Sequence, residues 1–403
     1  MLLYDLSHTS HSRARTGVQR VALELRSALA NRNQAFQEIT HDPHAKTWRF
    51  LRAWEKRGLD APPKAAKRRG AYWPLLAQAR GHIERALTHP QTANEIPATA
   101  KGFFTPEIFT VRTGRNLPEL FRHIECPKAA LFHDAISLRL PHLTPASAVG
   151  RFPSYMAELS RFDGIMTISE DSKNSLLGYW DWAGWKERPE VIVLPLGLDH
   201  LPAARRRTST LPLQSQSKES LPTILCVGSL EGRKNHLTLI NACERLWSAG
   251  EKFRLQMIGT LQRDTGRQAL ERLRALQAQG RPIKYDGWLN DAALETAFAD
   301  CAFTVYPSLL EGFGLPVWES LLHGKPCICS STGATGETAA GGGCLATDTR
   351  TETPLATAIA QLLHDQSQRD TLAAQAIARK PPLWADCAEQ LTTWMEQLPQ
   401  RNH

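Results

Sequence analysis

From Thr223 onward the chain alternates short apolar runs with amphipathic stretches, and that alternation restricts it to few folds. TILCVGS reads as a strand. HLTLINACERLWSAG reads as a helix, with apolar residues at helical spacing and Gly250 as its stop. RLQMIGT, PIKYDGW, AFTVYPS and KPCICSS follow as strands, separated by the helical stretches GRQALERLRALQAQG, AALETAFADC and PVWESLLHG. Repeated β-α units predict a parallel, doubly wound sheet. Such sheets hold ligands beyond the carboxyl ends of their strands, where helix N-termini point.

Earlier in the chain, AALFHDAI, DGIMTIS and VIVLPLG end in polar or glycine punctuation, as buried parallel strands do. A polar stretch around LPAARRRTSTLPLQSQSKES divides the two regions. With 403 residues, a chain too long for one core, we expect a first α/β domain over 1–205, a linker over 206–220 and a second domain over 218–378. The tail 379–403, containing PPLWADCAEQLTTWMEQL, is expected to cross back to the first domain. No apolar run reaches the ~18 residues that span a bilayer and no signal-peptide core precedes the first strand, so the expected location is the cytoplasm. The eight cysteines form no CxxC and read as reduced, mostly buried small hydrophobes.

Two motifs carry chemistry. In EGFGLPVWE, Glu311 and Glu319 flank a turn: Gly312, Phe313, Gly314 and Leu315 form a strand-to-helix loop. Pro316 is expected as the first helical residue, which would place Glu319 in the first turn. Unpaired amides and glycines there suit a phosphate or a sugar hydroxyl, and an acid can accept from sugar hydroxyls. The plainer reading makes Glu319 a partner of the helix dipole and Glu311 a solvated loop residue. In VGSLEGRKNHLTLINA, a strand ends near Val227, and Asn235 stands where the cap of the next helix is expected. Arg233 and Lys234 would then project at the domain mouth, able to neutralise a diphosphate, or else be two solvated cations.

Together with FHDAI, TISEDSKNSL and LPLGLD, these stretches resemble glycosyltransferase family 4, over Phe132 to Ser331 and, through TGVQRVALEL, toward the N-terminus. The resemblance implies the two-domain GT-B fold, two Rossmann-like domains facing a cleft, and transfer of a sugar from a nucleotide donor with retention. It implies that Arg233 and Lys234 hold the diphosphate and that Glu319 bonds the ribose. Glu311 would orient the transferred sugar with the amides of Gly312 to Leu315, and Gly17 would lie in the glycine loop that admits the phosphates. His133 matches a histidine near the reacting sugar. Two departures stand out: Thr16 replaces a second glycine, and Glu337 aligns with a common acidic position only loosely.

No D-x-D occurs, so neither a metal nor a cofactor is expected and cations must hold the diphosphate. The family's front-face mechanism would make neither glutamate a catalytic base. The whole net charge of +8 is matched by one segment, Lys46 to Arg85, with eleven Lys or Arg against three acids, interleaved with Trp48, Phe50, Trp54, Tyr72 and Trp73. An anionic membrane surface around 46–88 suits it, a solvated insertion equally well, and no motif suggests nucleic acid. Trp180, Trp182 and Trp185 read as packing. The expected function is retaining transfer of a hexose, mannose or glucose, from a UDP- or GDP-sugar to a lipid-linked O-antigen or capsule glycan. The alternatives are a small soluble acceptor or a silent scaffold.

Overall fold

The computed structural model describes residues 1–12, 17–32, 35–61, 71–87, 96, 100–199, 201 and 221–401. The expected linker 206–220 lies outside them, as does the basic run from Lys64 to Arg69. Two sheets form separately along the chain. The first has seven strands in the order β3-β2-β1-β4-β5-β6-β7. These are β1 (Leu2–Asp5), β2 (Phe36–Asp42), β3 (Thr47–Phe50), β4 (Gly102–Thr105), β5 (Lys128–Phe132), β6 (Gly164–Thr167) and β7 (Glu190–Val193), with only β3 antiparallel.

The second sheet is parallel throughout, in the order β10-β9-β8-β11-β12-β13. Its strands are β8 (Thr223–Val227), β9 (Arg254–Ile258), β10 (Ile283–Tyr285), β11 (Phe303–Tyr306), β12 (Cys327–Ser330) and β13 (Cys344–Thr347). Strand order reverses between β1 and β4 in one sheet and between β8 and β11 in the other. Each reversal opens a crevice at the carboxyl ends of the strands.

The helices that position the site are α1 (Gly17–Asn31), α2 (Ala53–Asp60), α3 (Leu75–Leu87), α4 (Val111–His123), α5 (Ile136–Arg139), α6 (Ala146–Leu159), α7 (Glu170–Trp182) and α8 (His236–Ser248). They continue with α9 (Arg267–Ala278), α10 (Asp291–Asp300), α11 (Leu315–Leu322), α12 (Gly333–Ala340), α13 (Glu352–His364), α14 (Gln366–Ala378) and α15 (Trp384–Gln397). Strands such as β5 and β11 are buried along their whole length, which is why, apart from Lys128 and Thr304, their sequences are apolar on both faces rather than alternating. All eight cysteines are free thiols, and seven of them are buried.

Helix α15 lies on the first domain. The Trp384 N–H donates to Asp199 at 2.9 Å, the Trp394 indole N–H to Glu190 at 3.1 Å, and Arg32, just past the end of α1, pairs with Glu389 at 3.2 Å. Its apolar side, Leu391 and Met395, joins the core that contains Leu25 and Leu29 of α1. Trp180 is fully buried, its indole N–H donating to the Met156 carbonyl at 3.1 Å, whereas Trp182 is exposed.

Candidate active site

Beyond β8 the chain makes one short 3-10 turn, Gly232–Lys234, before α8 begins. That turn throws Arg233 and Lys234 toward the loop that follows β11. Arg233 Nη1 lies 3.0 Å from Glu311 Oε2, Arg233 Nη2 lies 2.8 Å from Glu231, and Lys234 Nζ bonds Glu311 Oε1. The backbone ties the two loops as well, the Leu309 N–H donating to the Arg233 carbonyl at 2.9 Å. Burial alone would raise the Glu311 carboxyl. The charges of Lys234 and Arg233, with hydrogen bonds from Lys234 and Ser308, overcome that and hold it at about 2. Burial opposes the charge on Arg233 in turn, and Glu311 and Glu231 keep its pKa above the ordinary value.

Asn235 does not cap α8 through its side chain, as its sequence position suggests. It adopts a left-handed conformation (φ 56°), and its carboxamide reaches sideways. The Nδ2 donates to the Thr349 carbonyl at 2.6 Å, and Oδ1 accepts the Thr238 hydroxyl at 2.7 Å. The residue thus fastens the cationic turn to the segment after β13. His236, which the sequence reading passed over, sits buried beneath it. Burial, then the nearby Lys234 charge, drives its pKa down to about 3, so it is neutral.

The second loop ends at Gly314, whose positive φ of 83° sets the start of α11 at Leu315. Pro316 is therefore the second helical residue and not the first, and Glu319 lies in the second turn instead of the first. There it is half-buried. Burial raises its pKa, against the charges of Arg20 and Lys234. Arg20 is one turn into α1, so the start of that helix, with Gly17 as its first residue, faces Glu319. No atom stands within 4 Å of where a Gly17 side chain would begin, and Arg13 to Thr16 lie outside the described residues.

Gly312 presses against the first domain. A Cβ there would stand 2.8 Å from the His133 carbonyl oxygen and 3.3 Å from Asp134 Cβ. Its own carbonyl accepts the Ser169 hydroxyl at 2.8 Å, and Ser172 donates to the His133 carbonyl at 2.9 Å. The Gly312 backbone is thereby held against the end of β5 and the start of α7. His133 is buried, with Nε2 2.8 Å from the Pro106 carbonyl; that partner requires the proton on Nε2 and leaves Nδ1 an acceptor. Burial lowers its pKa. Asp134 accepts the Ile136 N–H at 2.9 Å; burial raises its carboxyl, against His133 and Arg233. Glu337 spans the domains too, accepting the Glu170 and Asp171 amides at 3.0 and 2.6 Å and capping α7.

A second carboxylate group, absent from the sequence reading, occupies the β1/β4 crevice. Glu107 accepts the backbone N–H groups of His8 and Thr9, each at 2.7 Å. Asp5 takes the Ser7 hydroxyl at 2.5 Å and the Thr105 hydroxyl at 2.9 Å. Burial, reinforced by Asp5, pushes Glu107 up to about 8.

Residues 209–379 match the family described as glycosyl transferases group 1. The chain is 28% identical over 262 residues to the O-antigen chain mannosyltransferase B of Escherichia coli, covering 64% of this chain and 67% of that one. It is 24% identical over 342 residues to the serotype-specific mannosyltransferase WbdA of the same organism, covering 81% of this chain and 38% of that longer protein. Among solved structures, sucrose-phosphate synthase from Thermosynechococcus elongatus superposes with a TM-score of 0.65 at 18% identity over 98% of both chains. HepE from Anabaena, solved with UDP and glucose, does so with a TM-score of 0.62 at 15% identity over 98% of this chain and 99% of that one. The chain is a glycosyltransferase of the GT-B fold, with its cationic turn and Glu311 meeting in the β8/β11 crevice of the second sheet. Its second domain belongs to the group 1 glycosyl transferases.

Proposed function

We propose that the chain transfers mannose from a nucleotide donor to the growing end of a lipid-carried O-antigen-type glycan, with retention and without a metal. The observation that carries this is the Glu311 carboxylate held between Arg233 and Lys234 in the β8/β11 crevice, opposite His133. The two mannosyltransferase relatives support the choice of sugar and acceptor. The diphosphate draws the two cations, which share their hydrogen bonds between it and Glu311 and stabilise the charge of the leaving group. Glu319 accepts the ribose hydroxyls, and the first amides of α11 face the donor. In the front-face step the acceptor oxygen bonds to the anomeric carbon as the carbon–phosphate oxygen bond breaks. The acceptor proton passes to the departing phosphate oxygen.

The test is a thermal-shift panel of GDP- and UDP-sugars in EDTA, followed by transfer to a mannose-terminated acceptor with the product's anomeric configuration read by NMR. A stabilising shift with a GDP- or UDP-mannose and an α-linked product are expected. No shift with any nucleotide sugar, or an inverted product, overturns the reading.

A further inference from the structure

Helix α3 is seated the wrong way round for a surface helix. Ordinarily the apolar stripe faces the core and the polar side faces water. Here the covered side is Ala77, Gln78, Gly81 and Glu84. Gly81 lies so close to the turn after β2 that a Cβ would stand 2.7 Å from His44 Cβ and 3.0 Å from the Ala45 nitrogen, so only glycine lets the helix sit there. Gln78 donates to the Trp73 carbonyl at 2.8 Å, and Glu84 pairs with Arg80 at 2.7 Å and with Arg52 at 3.8 Å.

The outward side is apolar. Leu75, Leu76, Ile83 and Leu87 are 80%, 86%, 58% and 80% exposed, and Tyr72, just before the helix, is 55% exposed. These five are close to half of the eleven large exposed hydrophobic residues among the described residues, gathered in one stretch from 72 to 87. Leu76, Arg80, Ile83 and Leu87 recur at i, i+4, i+7 and i+11, which makes one stripe with an arginine on its edge. The surrounding charge is predominantly positive, with Asp60 the exposed acid among it. Lys46, Arg57, Arg80 and Arg85 are exposed, and the described part of the segment from Lys46 to Arg85 carries seven cations against three acids.

We infer that the outer face of α3 is a docking surface for an anionic lipid bilayer, with the helix lying in the interfacial plane. At 13 residues the helix is about 20 Å long, too short to span a bilayer. An apolar stripe edged by arginines, whose long stems follow the apolar surface while their heads reach phosphate, matches an interface in both layers. Charge complementarity selects an anionic surface over a neutral one. The inference deepens the reading of a lipid-carried acceptor by giving the surface that brings the cleft to it, yet it does not depend on donor chemistry and fails separately.

The experiment is flotation of the full-length chain with phosphatidylcholine vesicles containing about a third phosphatidylglycerol, and with phosphatidylcholine alone. Binding to the anionic vesicles, weakening as salt rises from ~50 to ~300 mM, is expected. The double variant Leu76→Asn, Ile83→Asn, whose side chains already face water, is expected to lose at least about tenfold in partitioning. Arg80→Gln with Arg85→Gln is expected to lose about tenfold, on anionic vesicles only. Nucleotide-sugar thermal shifts of both variants stay at the wild-type value, which separates this result from failure of the donor site. Equal flotation with neutral vesicles, or wild-type flotation by the Leu76/Ile83 variant, overturns the inference. So does a wild-type dimer by sedimentation that the same variant dissociates without changing flotation, which would assign the face to a second copy.

Discussion

Glu311 and Glu107 are both buried carboxylates at the carboxyl ends of parallel strands, one in each domain, and their chemistry is opposite. Glu311 faces an arginine and a lysine and is held near 2. Glu107 faces two backbone amides and a neighbouring acid, and is pushed to about 8. Amide donors satisfy a buried carboxyl without neutralising it, so burial prevails at Glu107, whereas two cations defeat burial at Glu311. The same cations make the second crevice a place for an anion. The first crevice, with no cation among the groups that bond Glu107 and Asp5, accepts hydrogen bonds from neutral hydroxyls instead.

The largest expected effect comes from removing one cation. Lys234→Ala leaves Arg233 alone against a diphosphate and is expected to lower kcat/KM by about 10²–10³-fold, the usual cost of one charge-stabilising donor. Initial rates with the nucleotide sugar measure it. Transfer within tenfold of wild type would mean that the cationic wall does not carry the leaving group, and the contrast with the β1/β4 crevice would then be structural only.

Next comes the converse. Glu311→Gln leaves two cations facing each other with one formal charge removed from between them, and is expected to cost about 3 kcal/mol in urea unfolding at pH 7. Because Glu311 titrates near 2, well below an ordinary glutamate, its pairing is present above about pH 4.5 and fades as pH falls toward 2. The variant and wild type should therefore converge in acid. Pyrophosphate should restore part of the loss at pH 7 by standing where the carboxylate stood. A variant as stable as wild type, or one indifferent to pyrophosphate, would break the equivalence of Glu311 and a bound anion.

Five of the six strands of the second sheet were legible because each is a short, largely apolar run bounded by glycine or proline; β13, CLAT, was not, since it is only partly covered and follows a run of glycines with no apolar stretch to mark it. The first hundred residues were less legible. β2, FQEITHD, buries Glu38, Thr40, His41 and Asp42, and what makes that tolerable is remote in sequence: Arg26 and Lys56 for Glu38, Arg49 for Asp42. Local pattern cannot supply such partners. At the site, the pairing of Arg233 and Lys234 with Glu311 follows two local motifs. The position of Glu319 in its helix was misjudged by one residue, enough to move it from the first turn to the second, since the left-handed Gly314 starts the helix before the proline. Arg20, His236 and the bond from His8 to Glu107, 99 positions away, depend on folds of the chain that no spacing announces. The apolar stripe of α3 was visible only as scattered aromatics and cations until the structure showed which side of the helix is covered.

At pH 7 the smallest effect, a net of about 2 kcal/mol, is the most diagnostic of the contrast. The folded-state value of Glu107, about 8, lies above that of an unfolded glutamate, so the fold prefers it protonated. Its contribution is whole below about pH 4.5 and is lost as pH rises through about 8. Glu107→Gln removes the titration while keeping one carbonyl-type acceptor for the His8 and Thr9 amides, at a cost of about 1 kcal/mol for the bond it cannot make. Near pH 5 the variant should therefore be the less stable of the two. As pH rises the wild type loses stability by up to about 1.4 kcal/mol per pH unit relative to the variant, the slope of one proton, and the two curves cross before pH 8. Urea midpoints at half-unit intervals from pH 5 to 8.5 resolve the crossing. Parallel curves would mean that Glu107 ionises like an exposed acid, and that two amides alone do for it what Arg233 and Lys234 do for Glu311.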